Sequence, residues 1–588
     1  MNEEVPEPLC RARRSLEELA SFITVGDFVW DSAIAEWCLP FTAHLKHSHK
    51  IPETTPWVFT VSSTYPDCKI KIYPALDGGI EDTHPHQSNN GLEGHGKYCR
   101  SGNVCLFSEN TEWGLRGSPD FTLLSHATRF LQWLESANEG GLIKDGDHVE
   151  FPMQNIRRRD LVLYYEDEVS KLIWDGHPAC RDGVVEIIEN NLGQTCLSTF
   201  YEADGSLVRD VGWGTIFEGD RKKKTNRGIW LLASSVPHVR CWQSPNTYGE
   251  LREWAKGEEL ELDDIIGRNA SRLRDGLRHY LAIGVPCSSK AGEDPISLSW
   301  FIAIMPTLAD ENEFGKGGVH NHKVLRTVDK RKTFASNVLV DWVDSTNCSK
   351  DQMFSRGSLC EELADSRIAL IGAGSLGSMV ANSLIRGGVT DLCIFDSDNF
   401  GIGNIARHHL RACDAGADKA TTLAAVLNAT SPMAEVKGRS AIDKDNAATF
   451  KGFDIIIDCS SSPSVLAALD NLEGGQALFV CSFGYAAEKV YISLNTLSSF
   501  SSESYRDTFG ELMREEAASI REKELPWEGI GCWSPVFPAK NSDVNRAASI
   551  VVDCIDRLVE KRESKANYAY ITKRDVDGIL TAIERVEL

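Results

Sequence analysis

No run of about 18 apolar residues occurs in the 588-residue chain, so no segment has the length and hydropathy of a transmembrane helix. The first residues, Met1-Asn2-Glu3-Glu4, lack the basic start and apolar stretch of a signal peptide, and a cytoplasmic protein is expected. Positive charge is scarce. Lys and Arg number 62 against 85 Asp and Glu, and the net charge of −23 argues against a general nucleic-acid binder. Three short basic runs, Arg157–Arg159, Arg221–Lys224 and Lys330–Lys332, read as solvated loop tips and strand ends. No Cys-x-x-Cys pair exists among the 17 cysteines, so structural zinc is not expected, and the odd number cannot all pair as disulfides. In a reducing compartment most of these thiols act as small core hydrophobes, which leaves one or two as nucleophiles. No internal repeat is visible.

The remaining composition, 42% hydrophobic and 25% charged, is that of an ordinary globular protein, and the length suggests about three or four domains. Texture divides the chain. Residues 1–145 open with a helical segment, then a strand pair (57–62 and 69–73), a loop of His, Gly, Asn and Cys, and an apolar-spaced helix over 121–134. The run Asn138-Glu139-Gly140-Gly141 reads as a linker. Residues 146–345 are strand-rich, with β-type runs at 161–164, 183–188, 228–233 and 298–304 separated by charged stretches. They carry no chemical motif and read as a connecting or dimerising domain. From 346 to 588 strands (367–371, 391–395, 454–458, 477–481) alternate with helices (375–386, 417–427, 464–471). This predicts a mostly parallel sheet with helices on both faces. The expected fold class is therefore multidomain α/β, with an N-terminal α+β domain, a β-rich linker and a C-terminal Rossmann-like domain.

Chemistry enters at Ile368-Ala-Leu-Ile-Gly372-Ala-Gly374-Ser-Leu-Gly377, a buried strand that runs into a glycine-rich turn and a helix. Gly372 permits the tight turn, Gly374 lets backbone approach a phosphate, and Gly377 lets the helix pack on the strand. The helix N-terminus offers free N–H groups and partial positive charge. Asp396 ends the next strand, where a carboxylate can accept hydrogen bonds from ribose hydroxyls. These features suit NAD as well as ATP.

The following segment discriminates. It reads Asp396-Ser-Asp398-Asn-Phe-Gly-Ile-Gly-Asn404-Ile-Ala-Arg407-His, then Gly416-Ala-Asp418-Lys419. It resembles the ThiF/ubiquitin-activating (E1) superfamily, whose pattern is Asp-x-Asp-x-Val, Ser-Asn-Leu-x-Arg-Gln and Gly-x-x-Lys. Gly372, Gly374, Gly377, Asp396, Asn404, Arg407 and Lys419 match it position by position. The resemblance implies ATP, Mg²⁺ and adenylation of a carboxylate. Attack of a carboxylate on the α-phosphorus brings two anions together and builds charge on departing pyrophosphate. A guanidinium and an ammonium at those oxygens, Arg407 and Lys419, stabilise that charge. A dehydrogenase has no task for such a pair. The family commonly ends the later strand in Asp-Cys-x-Asp and uses the second Asp at the metal. Here the run is Asp458-Cys-Ser-Ser461, which leaves Asp458 as the metal ligand, with Asp398 or water as alternatives. An arginine from a partner subunit is also usual in the family, and Arg356 is the candidate.

Two cysteines are candidate acyl carriers. Cys532 lies in Trp527-Glu-Gly-Ile-Gly531-Cys532-Trp-Ser-Pro535, flanked by Gly and Pro, after a charged helical stretch (506–523) and shortly before a helix beginning near Asn541. Cys459 and Cys481 at strand ends, and Cys554 in an apolar helix, read as core. In the N-terminal domain His84-Pro85-His86 is followed by Gly102-Asn-Val-Cys105-Leu106. This resembles the ubiquitin-conjugating (E2) signature, His-Pro-Asn then Gly-x-Ile-Cys-Leu, with Cys105 as the thiol, Cys99 as its rival and His86 in the place of the family's Asn. Trp113 reads as packing.

Together the two ends resemble bacterial E2–E1 fusions of CBASS anti-phage operons. That resemblance implies a homodimer that activates the C-terminus of a cGAS-like nucleotidyltransferase and passes it from AMP to Cys532, then Cys105, then an amine such as a lysine. Three rivals remain. A sulfur-carrier adenylyltransferase of the thiamin or molybdopterin type leaves the first 350 residues without a task. A nicotinamide-dependent dehydrogenase leaves Arg407 and Lys419 without one. The third is a binding scaffold built on a degenerate adenylation fold.

Overall fold

The computed structural model describes residues 4–588 except 92–93, 108–116, 179, 220–224, 310–321, 441–446, 471, 521–526, 529–533 and 536–537. Cys532, Trp113 and the whole 221–224 basic run lie outside the described residues. The chain forms two compact units, one of Met1–Ile187, Gln194–Val211 and Thr225–Asn347, the other of Ile188–Gly193, Gly212–Lys224 and Cys348–Leu588.

The first unit begins with α1 (Glu7–Ser15) and an antiparallel sheet of β1 (Ile23–Val25), β2 (Val29–Asp31), β3 (Glu36–His44), β4 (Thr54–Val61) and β5 (Lys71–Pro74). The long helix α2 (Pro119–Glu139) covers one face. Aromatic side chains fill the space between sheet and helix. Trp57 and Phe41 pack edge-on against Phe130, with ring centroids 4.8 and 5.4 Å apart. Ser118 caps α2 by accepting the Phe121 N–H, and Gly140 ends it in the left-handed region at φ 77°. The break expected at 138 is therefore later: Asn138 is a buried helical residue. Its Oδ1 accepts from the backbone N–H groups of His49, Lys50 and Ile51, and its amide donates to the His47 carbonyl. A side chain that reads as a loop signal here closes a loop 90 residues away in sequence by satisfying its otherwise buried backbone donors.

The same unit holds a second sheet of eight strands: β6 (Leu161–Tyr164), β7 (Asp182–Glu189), β8 (Thr195–Glu202), β9 (Leu207–Asp210), β10 (Thr225–Leu232), β11 (His279–Cys287), β12 (Ser297–Met305) and β13 (Asp341–Asn347). Their order is β6-β13-β12-β11-β10-β7-β8-β9, and an added β6–β8 pairing turns the sheet back on itself. Its core contains an acid. Glu166 is 1% exposed and accepts from Ser170, Trp174 and Trp300 while pairing with Arg209. Each oxygen of the buried charge is thus answered, as burial of an ion requires.

The second unit is built on eight strands: β14 (Ile368–Ile371), β15 (Asp391–Phe395), β16 (Glu435–Arg439), β17 (Ile455–Asp458), β18 (Ala477–Phe483), β19 (Lys489–Thr496), β20 (Ala566–Arg574) and β21 (Leu580–Glu587). The order is β16-β15-β14-β17-β18-β19-β20-β21, parallel through β18 and antiparallel beyond. All four residues of β14 and of β17 are buried, as strands covered on both faces must be. Helices α3 (Ser375–Arg386) and α4 (Lys419–Asn428) follow β14 and the β15 loop, α5 (Pro463–Leu469) follows β17, and α6 (Ser502–Ile520) and α7 (Asn541–Glu560) complete the layers. The order reverses between β14 and β17, so a crevice opens beyond their C-terminal ends.

Candidate functional site

That crevice is a cavity of about 400 Å³ lined by the turn after β14 (Gly372, Gly374), the end of β15 (Asp396–Asp398), Lys419 on α4, and Cys459, Ser460, Ser462 and Ser464 after β17. The three glycines differ in what they do. Gly372 has φ +88°, and a Cβ there would stand 2.7 Å from the Ser460 Cα. At Gly377 a Cβ would meet the Gly372 carbonyl oxygen at 1.9 Å, so α3 can approach the turn only without a side chain. At Gly374, the N-cap of α3, nothing lies within 4 Å of a Cβ position; the backbone faces open space.

Asp396 shapes the turn. Its Oδ2 accepts the Ala373 N–H at 2.6 Å and its Oδ1 the Asp398 N–H at 2.8 Å. Each oxygen keeps a further lone pair for a hydroxyl. Lys419 is the first residue of α4. Its backbone N–H donates to the Asp398 carbonyl and its Nζ lies 3.0 Å from Asp398 Oδ2; the lysine side chain is 11% exposed and the aspartate 70%. An ammonium is thus held at the cavity wall by a carboxylate that water can solvate. Asn404 and Arg407 lie on the adjoining 3₁₀ turn Ile402–Arg407, both half-buried, outside the residues that line the cavity.

The tie between that turn and the glycine loop is a residue that sequence reasoning passed over. His408 is buried. Its Nε2–H donates to the Ala373 carbonyl at 2.6 Å and its Nδ1 accepts the Leu410 N–H at 3.1 Å. Burial pushes its pKa down from the ordinary value, which keeps the ring neutral in the tautomer these bonds need. The serines after β17 were also missed: nothing in a Ser-rich run announces that three of its members face a cavity.

Asp458 ends β17. It is 1% exposed; its Oδ1 accepts the Ser460 N–H at 2.9 Å, and its Oδ2 has no hydrogen-bond partner among the described residues. Burial raises its carboxyl from 3.8 to about 6. Among the described residues no group of three or more His, Cys, Asp or Glu is arranged to hold a metal. An orphaned carboxylate oxygen nonetheless fits a magnesium ion that takes one or two protein carboxylates and completes its shell with phosphates and water. Ser461 has φ 51° and is exposed. Because the folded state holds the Asp458 proton more tightly than an unfolded chain does, this group costs nothing below about pH 4. It destabilises as pH rises through about 6, by about 3 kcal/mol in full. Without nucleotide or divalent cation, Asp458→Asn is expected to melt above the wild type at pH 7.5 and to match it below pH 4; equal melting at both would contradict the burial argument.

Arg356 lies in a loop whose groove includes Gly387 and Gly388, at the C-terminal end of α3. Twelve residues of helix, about 18 Å, separate that end from the glycine turn. It does not line the cavity of its own chain.

In the first unit Cys105 is exposed and Cys99 is buried. Hydrogen bonding with Cys38 and burial push the Cys99 thiol far up, which suits a core thiol and not a nucleophile. The backbone N–H of Cys105 donates to the His86 carbonyl at 2.7 Å. His86 adopts φ 59°; its N–H donates to Glu150 Oε1 at 2.8 Å and its Nδ1 lies 2.7 Å from Glu150 Oε2. Cys459, Cys481 and Cys554 are all buried.

The Cap2 central linker domain family matches residues 140–348 and the ThiF family matches residues 349–472. The chain is 28% identical over 558 residues, 90% of each protein, to the ATP-dependent ubiquitin transferase-like protein Cap2 of Enterobacter hormaechei subsp. hoffmannii (strain UCI 50). It is 28% identical over 174 residues to ubiquitin-like modifier-activating enzyme 5 of Drosophila erecta, covering 28% of this chain and 41% of that protein. Among solved structures, E. coli MccB with ATP aligns at a TM-score of 0.29 and 15% identity, covering 39% of this chain and 65% of that one. No helix among the described residues is long and apolar enough to cross a membrane.

Proposed function

We propose, from the premise that this chain is a bacterial E2–E1 fusion of the Cap2 type with a ThiF domain, that it adenylates a protein C-terminus and passes it through Cys532 and Cys105 to an amine. The coarse activity is E1-like, ATP-dependent activation by a ubiquitin-transferase-like protein. The observation that carries the finer reading is the ammonium of Lys419 at the wall of a cavity that also contains the open Gly374 backbone and the Asp396 carboxylate.

A carboxylate oxygen attacks the α-phosphorus of ATP; an O–P bond forms, the bond to the β-phosphate oxygen breaks, and pyrophosphate leaves. Lys419 and Arg407 answer the charge on the phosphate oxygens, Asp396 accepts from the ribose, and the free N–H groups at Gly374 receive phosphate. Asp458 would hold Mg²⁺, which when bound neutralises charge on the phosphates. The Cys532 thiolate then attacks the acyl carbon and AMP leaves; Cys105 exchanges with Cys532 as thiolate for thiolate; an acceptor amine displaces Cys105.

The resemblance of the whole layout supports further assignments: a homodimer, in which Arg356 serves the cavity of the partner copy; a cGAS-like nucleotidyltransferase as the source of the C-terminus; lysine as acceptor; anti-phage defence of the CBASS kind; and a cytoplasmic setting. Heat protection separates this reading from a dehydrogenase. At 100 times its dissociation constant ATP with Mg²⁺ is expected to stabilise the second unit by about 2.7 kcal/mol and NAD by nothing. Protection by NAD alone would overturn it.

A further inference from the structure

The E2 signature uses an Asn two residues after its His, and an amide can donate a hydrogen bond to the oxyanion formed when an amine attacks a thioester. His86 occupies that place here, and the structure gives it a different partner. Glu150, an acceptor-only carboxylate, takes the His86 backbone N–H on one oxygen at 2.8 Å and the ring Nδ1 on the other at 2.7 Å. This two-point grip holds His86 at φ 59° and puts the ring proton on Nδ1. In the neutral ring the other nitrogen, Nε2, is then a bare lone pair, on a side chain that is 48% exposed. A ring in that state accepts a proton and cannot donate one to an oxyanion.

The setting is anchored from several sides. The Trp133 Nε1–H donates to the Pro85 carbonyl at 3.1 Å, Gln87 accepts from the His84 N–H and donates to the Gly102 carbonyl, and Gln87 pairs with Val104 across an antiparallel bridge. The next pair along is His86 and Cys105, joined by the 2.7 Å bond from the Cys105 N–H to the His86 carbonyl. The residues that carry the exposed thiol and the imidazole are thus joined through their backbones, and a carboxylate orients the imidazole. The imidazole and the carboxylate have the base and orienting roles of a general-base site.

We infer that His86 is the base for the aminolysis step: it takes the proton of the acceptor amine while that amine displaces Cys105, and Glu150 positions it. This rests on Cys105 being the acyl carrier. The amine nitrogen bonds to the acyl carbon, the carbon–sulfur bond breaks, and the electron pair leaves on Cys105 sulfur. The N–H proton passes to His86 Nε2 and from there to the thiolate, so thiol and neutral imidazole are restored. The ammonium of lysine first releases one proton to water; the adduct of so basic an amine holds the second tightly, and that is the proton His86 takes.

The test uses the full chain carrying Cys532→Ala, charged on Cys105 by exchange with a fluorescent tripeptide thioester and located by mass spectrometry. Discharge is timed with free lysine and with hydroxylamine, which is unprotonated at neutral pH and needs no base. His86→Asn, which tolerates the left-handed backbone and supplies the signature's amide, is expected to charge normally. Its discharge to lysine should fall about 100-fold while discharge to hydroxylamine is unchanged. Glu150→Gln should move lysine discharge in the same direction. Lysine discharge at the wild-type rate in His86→Asn overturns the inference, and so does equal slowing with both nucleophiles, which marks an oxyanion or packing role. A wild-type Cys105 that holds no thioester overturns the acyl-carrier reading and, with it, this one.

Discussion

Lys419→Ala is expected to lower ATP–pyrophosphate exchange by about 10²–10³-fold while leaving the fold intact. The side chain is 11% exposed and its Nζ stands at the cavity wall, 3.0 Å from Asp398 Oδ2. The cost of losing the pair is small because Asp398 is 70% exposed and water replaces its partner. Catalysis loses far more, because no solvent molecule supplies a fixed positive charge to the oxygens of departing pyrophosphate. The contrast is diagnostic. A melting temperature close to wild type with exchange reduced a hundredfold places the lysine at the chemistry. An unchanged exchange rate would return Lys419 to the role of a helix-start residue that pairs with its neighbour.

The second large effect is a block at two different points of the relay. Cys532→Ala is expected to abolish conjugation while exchange of pyrophosphate persists, because adenylation precedes any thioester. Cys105→Ala is expected to abolish conjugation while a thioester still accumulates on Cys532. Burial supports the choice of the second thiol. Cys105 is exposed, whereas Cys99, Cys459, Cys481 and Cys554 are buried and cannot meet a protein C-terminus without local unfolding. Denaturing gels with and without reductant, run beside the exchange assay, separate the two blocks. Conjugation that continues in both variants would dismantle the relay.

The parts of this site that were legible in the sequence are those set by local backbone requirements. Gly372 and Gly377 stand where a Cβ would strike Ser460 and the Gly372 carbonyl, and such constraints leave a glycine at a fixed spacing after a buried strand. Strands such as 368–371 and 391–395 were legible for the same reason: four or five consecutive apolar residues between polar boundaries have one economical burial. What was not legible depends on partners far apart in sequence. His86 and Glu150 are 64 residues apart, and nothing in either neighbourhood predicts a carboxylate on the imidazole. Asn138 followed by Glu and two glycines carries every local sign of a linker, yet its side chain is claimed by residues 47–51. His408 reads as one more polar residue in a loop until its ring is seen to hold the Ala373 carbonyl. Asp458 shows the same limit from the other side. Its identity was plain, but its orphaned oxygen, and so its suitability for a cation, follows only from burial.

These observations converge on one expectation: the adenylation cavity feeds an acyl group to Cys105. Cys105→Ser should capture that group as an ester, which is more stable than a thioester, and mass spectrometry of the variant recovered from its native host would identify what is bound. The account predicts a polypeptide joined through its C-terminal carboxylate to residue 105, present in Cys105→Ser and absent when Lys419→Ala or Cys532→Ala is added. An adduct on residue 105 that survives either added substitution would contradict it.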